Sequence, residues 1–177
     1  MRKLLLLTAV SCFFCLPAYA ATFQQGSMAA EGRLGFAAPL GDFSDNYGTS
    51  FTFGGTFLYG LSDVISLEGN INYSPDFNCS YNGCDVDIFE FTGGARYFFP
   101  TNNMVIPYLG GGAGLYHIGG DHADENDFGI NYGGGILVNV HPKVALDIAA
   151  RFNTIFETSD NSTYLGLTGG VVYFFSL

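Results

Sequence analysis

Glu31, Arg33, Glu68, Glu90, Arg96, Asp147 and Arg151 interrupt segments otherwise built of alternating apolar residues. Each falls on the parity opposite the large apolar side chains of its own segment. If these segments are strands, alternate residues share a face, so all seven charges lie on the face that the apolar residues leave free. Their chemistry would be ion pairing. Burying a charge is costly unless it is paired and hydrogen-bonded, so the first expectation is a salt-bridge network that plugs the interior of a closed sheet. The alternative is a gate for small ions that opens when the pairs exchange.

Other reactive side chains are few. Cys79 and Cys84, with four residues between them, are read as a disulfide that closes a small loop, worth on the order of 2 kcal/mol in the chain-entropy model. A metal site needs more ligands than that loop offers. The stretch Asp121 to Asp127 reads DHADEND. Carboxylates suit calcium, but the spacing is not that of an EF-hand, and a solvated acidic loop is the simpler reading. Bridging through calcium or magnesium to anionic lipopolysaccharide is a further option for such loops. His117 and His122 read as loop or loop-base residues and His141 as a turn residue. No catalytic residue, cofactor or metal site is assigned, and the chain is not read as an enzyme.

The elements that must position these groups are eight alternating segments: 28–38, 50–59, 64–74, 87–99, 105–117, 128–140, 144–153 and 163–177. The third is the clearest, with Ile65, Leu67, Ile71 and Tyr73 against Ser66, Glu68, Asn70 and Asn72. The fifth is so rich in glycine (Gly110, Gly111, Gly112, Gly114) that its faces stay unassigned. The last carries Leu165, Leu167, Val171, Tyr173, Phe175 and Leu177 on one parity. An apolar strand of this kind suits a sheet that closes on itself and leaves no edge. Connections alternate between short (60–63, 100–104, 141–143) and long (39–49, 75–86, 118–127, 154–162), the pattern of short periplasmic turns and longer outer loops. Strands of about ten residues match a membrane crossed at a tilt.

Composition sets the compartment. Arg2 and Lys3, the apolar run from Leu4 and Ala18-Tyr19-Ala20 fit a cleavable signal peptide over residues 1–20, leaving one domain over 21–177. Removing Arg2 and Lys3 leaves 4 of the 6 basic residues against 16 acidic ones, a formal charge of −12, which disfavours nucleic acid as a partner. The chain has 25 Gly, 18 Phe and 11 Tyr, and no later stretch is long and apolar enough for a membrane helix, so a membrane location requires strands. The content of the two faces decides their direction. That many aromatic rings would overfill the lumen of an eight-stranded barrel, so the apolar face is expected to meet lipid and the face of small and charged residues to look inward. A soluble lipocalin-like carrier, with the faces reversed, is the structural rival.

Three stretches, PYLGGGAGLY (107–116), FGINYGGGILVNVHPKVALDIAARFN (128–153) and GGVVYFFSL (169–177), carry a resemblance to the eight-stranded outer-membrane barrels that include OmpA transmembrane domains, OmpX and opacity-type surface antigens. The resemblance spans the whole segment 21–177. It implies an all-β, antiparallel, up-and-down transmembrane barrel in the cell outer membrane, monomeric, with both termini periplasmic. It further implies insertion by the barrel-assembly machinery through the last strand, where the family typically ends on Phe and this chain ends on Leu177. The partners expected are outer-membrane lipid and lipopolysaccharide, and a host or surface ligand at four acidic loops. The functional expectation is a structural, adhesin- or antigen-like surface protein. A narrow ion or small-solute pore and a lipid-modifying outer-membrane enzyme are the alternatives.

Overall fold

A computed structural model describes residues 23–41, 43–44, 47–78, 85–120, 123–157 and 161–176. Eight strands follow one another: β1 (Met28–Leu40), β2 (Ser50–Gly60), β3 (Ile65–Asn78), β4 (Asp85–Phe98), β5 (Val105–Gly120), β6 (Ala123–His141), β7 (Val144–Phe156) and β8 (Asn161–Ser176). Each pairs antiparallel with its neighbours in sequence, and β1 pairs with β8 from Leu40↔Thr163 to Ala29↔Phe174, so the sheet is a closed barrel. Closure satisfies every strand edge internally, the condition for a sheet to stand in hydrocarbon.

The alternation in sequence becomes an inside and an outside. Leu34, Phe36, Phe53, Phe91, Tyr132, Ile148, Leu167 and Phe175 point outward and are exposed, with Leu34 and Phe91 each 60% accessible. Soluble monomers do not expose an apolar surface of this extent. Aromatic contacts band the outer face near both rims. At the short-turn end Tyr97 meets Phe99 and Tyr173 meets Phe175, with ring centroids 5.1 and 5.5 Å apart. At the long-connection end Phe36, Phe51, Phe53 and Tyr73 form a continuous run. Such girdles mark the two interfaces of a bilayer.

β5, whose faces the sequence leaves open, sends Ile106, Tyr108 and Tyr116 inward and Val105, Leu109 and Leu115 outward. Two of the long connections shrink. β3 and β4 pair up to Asn78↔Asp85, and β5 and β6 pair up to Gly120↔Ala123. Most of the acidic stretch is therefore hairpin rather than loop. Its strands carry polar residues on both faces, so they lack the alternation by which a strand is recognised in sequence.

Candidate functional site: the barrel lumen

The seven charges singled out above all point into the lumen and are buried. Arg96, on β4, lies at the centre and is 1% exposed. Its Nη2 donates to Glu31 Oε2 at 2.8 Å and its Nε donates to Glu68 Oε2 at 2.6 Å. Arg151, on β7, meets the same Glu68 from the far wall: Nη1 donates to Oε1 at 2.6 Å and Nη2 to Oε2 at 2.7 Å. Glu68 therefore ties β3 to β4 and to β7 across the barrel, in the bidentate geometry that suits a guanidinium. The Arg96 guanidinium also covers the ring of Tyr108, with Cζ 4.9 Å from its centroid. The Tyr108 hydroxyl donates to Asp147 Oδ2 at 3.0 Å.

The ladder explains how such long side chains cross a narrow lumen. The register partners of Arg33 are Gly54 and Gly170. Those of Arg151 are Gly133 and Gly166, and those of Arg96 are Ser66 and Gly110. Glycine beside each arginine clears the wall over which its stem lies. The same device serves the tyrosines. A Cβ on Gly135 would stand 2.6 Å from the Tyr108 hydroxyl, and one on Gly129 would stand 2.6 Å from Tyr116 Cε2. The glycine runs of β5 and β6 are thus sockets for the polar core.

The charges do not balance. Among the described residues Glu31, Glu68, Glu90 and Asp147 face only Arg33, Arg96 and Arg151. Glu31 Oε1 and Asp147 Oδ1 are both buried without a donor among the described residues. The two carboxyl groups face each other at close range, where like charges repel.

Arg33 is held differently. Its Nε donates to Asn72 Oδ1 at 2.9 Å and its Nη2 to Asn70 Oδ1 at 3.2 Å, both neutral amides. The remaining acid, Glu90, accepts from Asn72 Nδ2 at 2.7 Å and from the Tyr164 hydroxyl.

Apolar layers close both ends of this polar core. At the short-turn end Phe23, Ala29, Leu58, Phe98, Ile106, Leu137, Val172 and Phe174 form one cluster. Phe23 precedes the barrel, stacks on Phe98 at 4.7 Å and meets Phe174 at 5.1 Å. At the other end Phe77, Ile88, Tyr116, Ile155 and Tyr164 form a second cluster, with Phe43 and Tyr47 from the first long connection packed against it. A closed sheet of eight antiparallel strands, apolar outside and plugged inside, matches the outer membrane protein beta-barrel domain model over residues 6–175.

The chain belongs to the outer-membrane β-barrel family. It lies in the cell outer membrane. Solved barrels of this family share its architecture at low identity. Neisserial surface protein A matches with a TM-score of 0.71 and 19% identity, over 84% of this chain and 99% of that one. Ail, the attachment invasion locus protein of Yersinia pestis, matches with a TM-score of 0.59 and 18% identity, over 86% of this chain and 100% of that one. OprG of Pseudomonas aeruginosa matches with a TM-score of 0.60 and 15% identity, over 89% and 99%. No curated protein matches the chain.

In barrels of this family the short turns face the periplasm and the longer connections face outward. Cys79, Cys84, the signal segment 1–20, Leu177, Asp121 and His122 lie outside the described residues. His117 Nδ1 shares a hydrogen bond of 3.2 Å with Asn126 Oδ1 across the outer β5–β6 hairpin. His141 Nδ1 accepts from the Lys143 backbone at 3.3 Å in the periplasmic turn. Among the described residues no group of three or more His, Cys, Asp or Glu is placed to hold a metal ion.

Sequence reasoning missed the aromatic plugs, because it credited the inward parity with small and polar residues. A signal for Tyr108 and Tyr116 is present, since both flank the glycine run of β5 and share one parity. Phe77 was unreadable by parity. A register shift between Ser74 and Phe77, with Asp76 at φ 53°, changes the phase of β3 and turns Phe77 inward.

Proposed function

We propose that this barrel is a rigid, monomeric scaffold that displays its outer hairpins for contact with a host surface, a neighbouring cell or lipopolysaccharide. One observation carries the reading: side chains fill the middle of the lumen. An ion-paired core lies between two apolar layers, and the space left within that core is about 30 Å³. The working surface is then what stands above the membrane, chiefly the acidic β5–β6 hairpin and the connections between β1 and β2, β3 and β4, and β7 and β8. Rigid barrels with functional loops divide labour in this way. The similarity to Neisserial surface protein A and to an attachment invasion locus protein supports the same reading.

The test is a barrel whose β5–β6 hairpin is cut back from Gly119–Asp124 to a two-residue Asn-Gly turn. It should keep its SDS resistance in the cold and lose most attachment of expressing cells to host-cell monolayers. Attachment that survives removal of all four outer connections would sink the reading. The pore alternative predicts discrete conductance steps in planar bilayers. The scaffold reading predicts none from the intact protein. A lipid-modifying role predicts altered lipid A masses in a deletion strain, where the scaffold reading predicts an unchanged spectrum.

A further inference from the structure

Glu31 and Asp147 each use one carboxyl oxygen and leave the other unused. Glu31 Oε2 accepts from Arg96 Nη2 at 2.8 Å, and Asp147 Oδ2 accepts from the Tyr108 hydroxyl at 3.0 Å. Glu31 Oε1 and Asp147 Oδ1 have no donor among the described residues, although the two residues are only 3% and 2% exposed. Gly170 on β8 separates the two acids and is the cross-strand partner of Asp147. A Cβ built on it would stand 3.1 Å from Glu31 Oε1, so that oxygen reaches over β8 towards the acid on β7. The cations nearby are committed. Arg151 bonds both oxygens of Glu68, which also takes Arg96 Nε. Arg33, two residues along β1, bonds Asn70 and Asn72. Arg96 Nη1 is itself without a partner, so it reaches neither free oxygen. β2, β6 and β8 bring no charge here, since the register partners of the two acids are Thr56, Val172, Leu137 and Gly170. One negative charge of the lumen is left without a counterpart, and burial makes that costly.

We propose that Glu31 and Asp147 form a binding site for a single proton, held between Glu31 Oε1 and Asp147 Oδ1. Two carboxylates forced together away from water share a proton, because a hydrogen bond then replaces the repulsion of like charges. One proton satisfies both unused oxygens, one as donor and the other as acceptor. It also offsets the excess of four carboxylates over three guanidiniums. A metal cation fits worse, since two free oxygens fall short of the roughly six ligands that a hard cation takes. The pair makes the barrel sensitive to pH. When the proton leaves, two anions stay fixed side by side and β1 is repelled from β7.

Infrared spectroscopy of the intact barrel in lipid vesicles reads the proton directly. At about pH 6, where exposed carboxyls have ionised, the protein should show a protonated-carboxyl stretch that shifts after refolding in D2O. Asp147→Asn and Glu31→Gln should each lose it. Urea unfolding in the same vesicles gives the energetic side. The folded barrel holds one proton more than the unfolded chain, so stability falls as pH rises. From about pH 5 to the pH at which the infrared band disappears, the unfolding equilibrium constant should rise ~10-fold per pH unit relative to Asp147→Asn. Above that pH the two profiles should run parallel. Absence of the band overturns the proposal, since a bridging water or two bare anions would then occupy the site. A band that persists in both variants belongs to another carboxyl and overturns it too. So does stability that changes when sodium replaces choline at constant pH, which would place a metal cation between the acids.

Discussion

The inner and outer halves of the lumen solve the same problem in opposite ways. Both must bury arginine in a closed barrel. In the inner half Arg96 reaches two carboxylates and lies against an aromatic ring. In the outer half Arg33 leans on amides beside a small chamber, under aromatic residues supplied partly by a surface connection. The contrast assigns roles: the inner half is a structural bolt, and the outer half joins the polar core to an aromatic cap that a surface connection helps to build.

The sharpest way to break this contrast is to delete the bolt. Arg96→Ala leaves Glu31 and Glu68 with one guanidinium fewer, and Glu31 then has no hydrogen-bond donor among the described residues. Removing one partner of a buried ion pair costs about 3–5 kcal/mol. The variant should lose most of its cold SDS resistance, read as a heat-shifted band, whereas Arg33→Gln should lose much less. Equal losses would mean that the two halves are not distinct. If Arg96→Ala instead folds normally and conducts, the inner cluster is a gate rather than a bolt.

Gly135→Ala should follow in size. The new Cβ would stand 2.5 Å from the Ile148 carbonyl oxygen and 2.6 Å from the Tyr108 hydroxyl. Both neighbours must shift, and Tyr108 would leave Asp147 without its donor. Overpacking of this kind costs about 1–3 kcal/mol. Guanidinium or urea unfolding in detergent should show the loss. A control, Gly166→Ala, places its methyl in ordinary contact, 3.7 Å from the Arg151 carbonyl oxygen and the Asn153 amide, and should be nearly silent. If the control is equally damaging, the sockets are not specific to the polar core.

These two glycines mark where the sequence was legible and where it stopped. Strand number, inside and outside, and the inward placement of all seven charges follow from a period of two, because only one register buries them together. Which charge meets which does not follow. Glu68 and Arg151 are 83 residues apart in sequence, and their meeting depends on the stagger of the whole barrel. Nor did parity reveal the plugs. Phe23 lies before the first strand, Phe43 and Tyr47 lie in a connection, and Phe77 changes face at a bulge. The acidic hairpin carries no strand signal in sequence because its residues are polar on both sides.

Asp147→Asn probes the charge excess and should act in the opposite direction from the losses above. The amide still accepts from Tyr108, and its NH2 can donate to Glu31 Oε1, which is buried without a donor. Four carboxylates against three guanidiniums become three against three. A gain of about 1 kcal/mol is expected from one satisfied buried acceptor, seen as a raised unfolding midpoint at neutral pH. A loss of similar size would show that Asp147 is needed as an anion beside Arg96.

The smallest effect belongs to the outer half and tests the bulge that seats Phe77. Asp76 adopts φ 53°, a conformation that side chains resist and glycine does not. Aspartate tolerates it better than most, which is why it can hold the bulge at all. Its side chain is exposed, so substitution there should act through the backbone alone. Asp76→Gly should therefore relieve strain and stabilise the barrel slightly, by up to about 1 kcal/mol, with part of the gain lost to the freedom of glycine in the unfolded chain. Asp76→Val should do the reverse and by more, since a β-branched side chain suits this region worst. Phe77 would then be pulled from its contacts with Phe43 at 5.6 Å and Tyr164 at 6.1 Å. Because those contacts belong to the outer cap and not to the bolt, Asp76→Val should loosen the cap, measured as faster amide exchange in β8 near Tyr164, while exchange around Arg96 stays unchanged. Faster exchange at both levels would show that the two halves unfold as one unit.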